Sequence, residues 1–434
     1  VKVDAAGLTP ATEYFYQITV QSSSGLITSL PGRTRTLADS GDETPVKFAV
    51  VSCSNYPFGY FNVYREIGKR NDLDAVIHLG DYIYEYGRDG YGGDVGEQLG
   101  RNHNPSTETI SLEEYRKRHA QYKSDEDLQA AHAAAPWLCT WDDHESTNNS
   151  YRTGAQNHND GEGEWTVRKQ IATQAYLEWM PVRDPEPGRP RESIYRKFDF
   201  GDVATVFCLE SRLTGRSDEI SWGAVLADKS PAEIPAAAMA TMQQVADPAR
   251  TMLGATQEEW LVQGFEASAG SKSWQVLANQ VIMARVTPPR FDKTLSAEQK
   301  AGLQGYAARV VEFSQLQVPW NLDAWDGFPA ARERLYEAAR KADARLVTLT
   351  GDTHTAWANT LYDADGDKRG VEFGTTSVTS PGLGSYISNV PDLGQQFVDA
   401  NKEVDWFKTD GHGWMLVSLD KDALTTEYHE VSTI

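Results

Sequence analysis

The sequence predicts a layered α/β domain preceded by a small all-β module, and three observations carry that expectation. VKFAVVSCS, at 46–54, is a nearly continuous apolar run, the pattern of a strand covered on both faces. The helical pattern FNVYREIGKR at 61–70 separates it from a second apolar run inside LDAVIHLGDYIYEY, 73–86, which gives the strand–helix–strand order of α/β domains. Ahead of both, EYFYQITVQ at 13–21 alternates as a half-buried strand does, with GLTP before it as turn residues.

The remaining elements follow in order. GRTRTL, 32–37, predicts a second short strand, and the polar linker LADSGDETP, 37–45, ends in proline and marks the boundary. The expected organisation is a β module over 1–40, incomplete at its N-terminal edge, and a larger domain over 45–434. Ser111 with Glu114 three residues later is a capping box, so 111–135 forms one long helix or two that break near Lys123 and Ser124. PWLCTW predicts a strand, and DDHE falls where its loop begins. Further strands are expected at 203–210, 274–283, 345–350 and 371–376, and helices at 165–178, 255–267 and 327–341. The loop-rich stretch 284–330 is expected to form a lid or rim.

The 434 residues include 41 Lys plus Arg against 62 Asp plus Glu, a formal charge of -21. Such a field repels nucleic acid backbones, which argues against sequence-independent phosphate tracking and gives no support for specific nucleic acid binding. Hard cations bound by carboxylates would offset part of it. Cys53, Cys139 and Cys208 are too few and too scattered for a disulfide framework. No apolar stretch approaches the roughly 20 residues that span a bilayer, and no basic leader precedes an apolar segment. Twelve tryptophans and nineteen tyrosines lean towards an extracellular protein.

Five polar elements share one address, the end of an apolar strand-like run. They are Cys53 to Asn55, Asp81 to Tyr84, Asp142 to His144 with Asn148 and Asn149, Asn279 with Gln280, and GDTH at 351–354. Crevices beyond the carboxyl ends of sheet strands are where α/β folds bind ligands. Asp81 follows a turn at Gly80, and a helix starting there would bring Tyr84 to the same side. Asp352 and His354, two apart, can offer an oxygen and a nitrogen to neighbouring cations. The crowded carboxylates of DDHE are destabilising near a buried strand end unless a cation or hydrogen-bond donors compensate them. The expectation is a metal site.

In order and content, VSCSN, HLGDYIYE, WDDHE, LANQ and GDTH resemble the PhoD-like alkaline phosphatases and phosphodiesterases of the calcineurin-like metallophosphoesterase superfamily. GLTPATEYFYQITV resembles the fibronectin-like N-terminal module of PhoD-like proteins and purple acid phosphatases. The resemblance implies a four-layer α/β/β/α sandwich and a secreted or periplasmic protein. It implies a first metal held by Cys53, Asp81, Tyr84 and His354, where thiolate plus phenolate suits ferric iron, Fe(III). A second metal would share Asp81 and add Asp143, Asn279 and Asp352, with Asn149 or Asn148 joining it or holding phosphate. That oxygen-rich set suits one or two calcium ions, Ca(II), in preference to zinc or manganese. His144 would approach the substrate phosphate, with a metal-bound hydroxide as nucleophile. Asn55 and Arg212 are candidate phosphate contacts, and His412 a candidate rim residue.

The resulting expectation is hydrolysis of phosphate mono- or diesters. Phospholipase D activity on phospholipid diesters is the enzyme alternative. A calcium-stabilised surface-binding protein is the non-enzyme one, and it leaves the strand-end placement of five polar elements without a cause.

Overall fold

The computed structural model describes residues 2–434, and its main body is an α/β fold built on two sheets. The first has five strands in the order Leu424–Val431, His412–Leu419, Val46–Val51, Ala75–His78 and Trp137–Cys139, the last three parallel. The second has seven, in the order Arg196–Phe200, Ala204–Cys208, Trp274–Ala278, Leu346–Thr350, Lys368–Gly374, Ala356–Tyr362 and Val404–Lys408. Its four central strands, from Ala204–Cys208 to Lys368–Gly374, are parallel.

The apolar run at 46–51 is explained by what lies on each side of it. Phe48 and Val50 pack with Val206, Val276 and Val347 in a core made by both sheets. Ala49 and Val51, on the opposite face, pack with Val63 and Ile67 of helix Asn62–Gly68, and with Tyr115 and Leu128. Burying each large apolar side chain contributes about 1.5–3 kcal/mol. A third core covers the outer face of the seven-stranded sheet, where Phe207 and Leu277 meet Phe265 and Leu335 of helices Ala255–Ser268 and Pro329–Lys341.

Ser111 accepts from the backbone of Glu114, whose carboxylate accepts from Ser111 in return, so the predicted capping box is present. The chain then breaks into two helices, Leu112–Lys123 and Glu126–Ala134, because Asp125 caps the second by accepting from Asp127 and Leu128. The run 13–21 falls in two strands, Glu13–Tyr16 and Thr19–Ser22, which pair with different partners, Gly32–Arg35 and Gly25–Thr28. The stretch 284–330 holds short helices, and its Phe291, Val310, Trp325 and Phe328 join the outer core. Among the described residues no helix is long and apolar enough to cross a membrane.

Candidate metal centre

The parallel strands end at Val51, His78, Cys139, Ala278 and Thr350, and Cys53, Asp81, Asp142 to His144, Asn279 and Asp352 follow within a few residues. The chain turns sharply there. Cys53, Asp81, Asn149, Asp352 and His354 have φ of 61°, 57°, 48°, 62° and 58°, a region that costs a non-glycine residue about 1–3 kcal/mol and that clusters at functional sites. Gly80, at φ 107°, is required as glycine, since a Cβ there would lie 2.3 Å from the backbone nitrogen of Asp142. The loops after two neighbouring strands thus touch.

These turns assemble two ligand sets. Cys53, Asp81 and His354 can each offer one atom, all within 4.8 Å of one another, and so can Asp81, Asp143 and His144. Asp81 belongs to both. Tyr84 Oη donates to Asp81 Oδ2 at 3.0 Å and lies 3.2 Å from His354 Nε2, so it stands inside the first set. It arrives there through an irregular bend, since no helix follows Gly80 as the i, i+3 argument supposed. Asp81 Oδ1 and Asp143 Oδ1 are buried without a hydrogen-bond partner. A buried acceptor left unpaired costs about 1–3 kcal/mol, and bound cations would satisfy both oxygens. A cavity of 250 Å³ opens over the centre, lined by Asp81, Asp143, His144, Asn149, Asp352 and His354 among others.

Residues 48–428 match the PhoD-like phosphatase family. The chain belongs to that family. It is 36% identical over 393 residues to alkaline phosphatase D of Bacillus subtilis (strain 168), covering 89% of this chain and 59% of that protein, so it spans about three fifths of that relative's length. A solved structure of PhoD superposes with a TM-score of 0.76 at 32% identity, covering 100% of this chain and 74% of the other. A purple acid phosphatase, PPD1 from yellow lupin (Lupinus luteus) seeds, shares the fold with a TM-score of 0.51 at 13% identity, over 98% of this chain and 58% of its own.

In this PhoD-like chain the electrostatics of the centre follow from burial and crowding. Burial first, then the neighbouring Asp81 carboxylate, pushes the Cys53 thiol and the Tyr84 phenol well above their ordinary ranges. Burial likewise raises Asp81, with Asp143 and Asp142 adding to it against the pull of His144. Such groups would release protons to a bound cation, so metal and protons would compete for this cluster. His144 is the exception: burial opposes its charge, yet the Asp143 and Glu85 carboxylates hold the imidazole well above its usual value. Glu85 Oε2 sits 2.6 Å from His144 Nδ1, and Tyr84 stacks on the ring at 4.1 Å between centroids. Glu85 is itself fixed by Thr147 Oγ1, the Asn148 backbone and Asn157 Nδ2 at 3.0, 2.8 and 2.9 Å.

The other predicted residues stand further back. Arg212 is fully buried; its Nε donates to Asp142 Oδ1 at 2.5 Å and its Nη1 to Asp323 Oδ2 at 2.7 Å, while Nη2 lies 3.6 Å from Asp352 Oδ1. It does not line the cavity. Asn55 is fully buried with neither amide atom bonded, and Asn279 is held by the Val281 carbonyl and the Trp325 indole. Asn149 donates from its side chain to Glu219 at 2.6 Å and from its backbone to Asp143 at 2.6 Å, and with Asn148 it lines the cavity. His412 bonds Ser377 at 3.1 Å, away from the cavity wall.

Glu85, which sequence reasoning passed over, and Glu145, which it read only as one of the crowded acids of DDHE, matter as much. Glu85 lies inside HLGDYIYE, where an acid among aromatic residues was the available signal. Glu145 accepts from the backbones of Asp81, Tyr82 and Asp142 at 3.1, 2.7 and 2.9 Å, which ties the two loops together. Its place as the last residue of DDHE was the clue.

Proposed function

We propose that this chain hydrolyses phosphate esters, mono- or diesters, at a two-metal centre bridged by Asp81. The observation that carries this is the pair of clusters, Cys53 with His354 and Asp143 with His144, that share that one carboxylate; His144, held charged by Glu85, is read as the proton donor beside the second metal and not as its ligand. Cys53, Tyr84 and His354 complete the first set, whose sulfur and phenol oxygen suit Fe(III). Asp143, Asp352 and the carbonyl oxygens of Asn149 and Asn279 complete the second, whose oxygens suit Ca(II). Metals bound there supply Lewis acidity and an activated water to the phosphoryl group.

The protein's own part is positioning and proton supply. His144, charged and oriented by Glu85, donates to a phosphoryl oxygen and delivers its Nε2 proton to the leaving oxygen, a step that general acids typically accelerate by about 10²–10⁴. Arg212 bonds Asp142 and Asp323 behind the second set and offsets part of the repulsion they exert on Asp352 and Asp143. Asn55, two residues after Cys53, keeps a buried amide with neither atom bonded and is read as a phosphate contact. The two-sheet body, with helices against each outer face, is read as the four-layer α/β/β/α sandwich of the superfamily, and residues 1–40 as part of a fibronectin-like module. Family membership supports a secreted or periplasmic location.

The test is release of product from a phosphate monoester and a diester by metal-replete protein. Turnover that disappears on chelation and returns with iron plus calcium supports the proposal; turnover that resists metal removal refutes it.

A further inference from the structure

A second cavity, of 240 Å³, shares Asp352 and His354 with the metal-site cavity. It differs from it in chemistry. Trp357 stacks on Phe407 at 3.6 Å between centroids, and Phe397 packs edge-on against Phe407 at 5.2 Å and Trp320 at 6.0 Å. Val286 and Leu383 complete the apolar wall. Most polar groups of the lining away from Asp352 are bonded within the protein. Trp357 Nε1 donates to Thr353 and Thr355 at 3.0 and 2.8 Å. Asp326 accepts from the Val286 backbone at 2.9 Å and from Arg332 at 2.7 Å, and Asn321 accepts from the Asp323 backbone at 2.8 Å. Away from Asp352 and His354, what faces the space is mostly ring and aliphatic surface.

We propose that this annex is a subsite for an apolar substituent of the ester, an aryl ring or short alkyl chain, lying beside Asp352 and His354 while the phosphoryl group sits at the Asp81 centre. The inference rests on the phosphoesterase reading given above. An apolar cavity of about 150 Å³ is enough to hold benzene, so the annex accommodates a ring with room for a linking atom. Concave, mostly apolar walls with a few bonded polar groups are the usual make-up of small-molecule sites. A purely hydrophilic substituent, such as a glycerol or sugar hydroxyl array, would lose its water against the ring and aliphatic wall and find few unpaired partners there, the Asp352 carboxylate and the Asn321 amide at its edge among them.

Calorimetric binding of phenylphosphonate and methylphosphonate to the metal-replete protein tests this, because the two share an anionic head and differ in the apolar part. The phenyl compound is expected to bind about tenfold tighter or more, the scale on which hydrophobic pockets sort ligands, with a more negative heat-capacity change. Leu383→Asp should bring the ratio towards one, and Trp320→Ala, which removes a wall without adding charge, should reduce it. Equal affinity for the two compounds, or a ratio undiminished in both variants, overturns the subsite. The predicted ratio without hydrolysis of any phosphate ester would leave the subsite standing and refute the catalytic reading. Hydrolysis with a ratio of one would do the reverse.

Discussion

Replacing Arg212 by methionine separates a structural cation from a substrate clamp. In the folded protein its guanidinium bonds Asp142 at 2.5 Å and Asp323 at 2.7 Å, with no exposure to solvent. Asp323 keeps a second partner in Arg216, at 2.5 Å. Asp142 keeps none of like strength, and burial already pushes it up to about 6 against the lowering pull of Arg212. Removing one member of a buried charge pair costs about 3–5 kcal/mol, because the other is left unpaired. Arg212→Met is therefore expected to lose that much in urea unfolding, with an unchanged slope against denaturant. The double variant Arg212→Met/Asp142→Asn should regain most of the loss. A stability loss under about 1 kcal/mol, the scale of an exposed ion pair, accompanied by a large rise in KM, would refute the reasoning and make Arg212 a substrate contact.

Three further outcomes are expected. Glu85→Gln should lower kcat by about 10²-fold or more; because Glu85 raises the His144 value, the alkaline limb of the kcat/KM profile should also move to lower pH, and an unshifted limb would remove Glu85 from the proton path. Tyr84→Phe should abolish any visible phenolate-to-iron absorption band in the iron-loaded protein, and a surviving band would take Tyr84 out of the ligand set. Stability should fall as pH drops below the usual imidazole range: burial lowers His78 and His119 to about 3 and holds His132 well below its ordinary value. The unfolded chain takes up those protons near pH 6.5 and the folded one does not, so stability is present above that pH. It is lost on acidification by at most about 4 kcal/mol per pH unit if all three stay neutral. Urea midpoints that do not change between pH 7 and pH 5 would contradict this.

Much of the fold and of the metal centre was legible because both follow from local pattern. Val46–Val51 reads as a doubly covered strand, and it packs Phe48 inward and Ala49 outward. Polar residues directly after parallel strands must converge on the sheet edge, so Cys53, Asp81, Asp143 and Asp352 could be gathered from spacing alone. What escaped depends on backbone shape or on distant partners. Tyr84 reaches Asp81 through a bend in which Gly80 announces the turn but nothing announces the second left-handed residue, Asp81 itself, that keeps a helix from following. The burial of Arg212 depends on Asp323, over a hundred positions away, in a loop with no motif. The apolar annex is assembled from Trp320, Trp357, Phe397 and Phe407, each of which reads in sequence as ordinary core.

The central claim is that Asp81 bridges two metals. Elemental analysis of protein purified without chelator, beside Asp81→Asn purified in the same way, tests it most directly. The account predicts about one iron with at least one calcium per chain in the parent, as a two-metal clamp requires, with both metals depleted and hydrolysis largely lost in a folded variant. Full metal content and retained turnover in Asp81→Asn would place the bridge elsewhere, and a parent carrying zinc or manganese in place of iron would overturn the ligand argument for Cys53 and Tyr84.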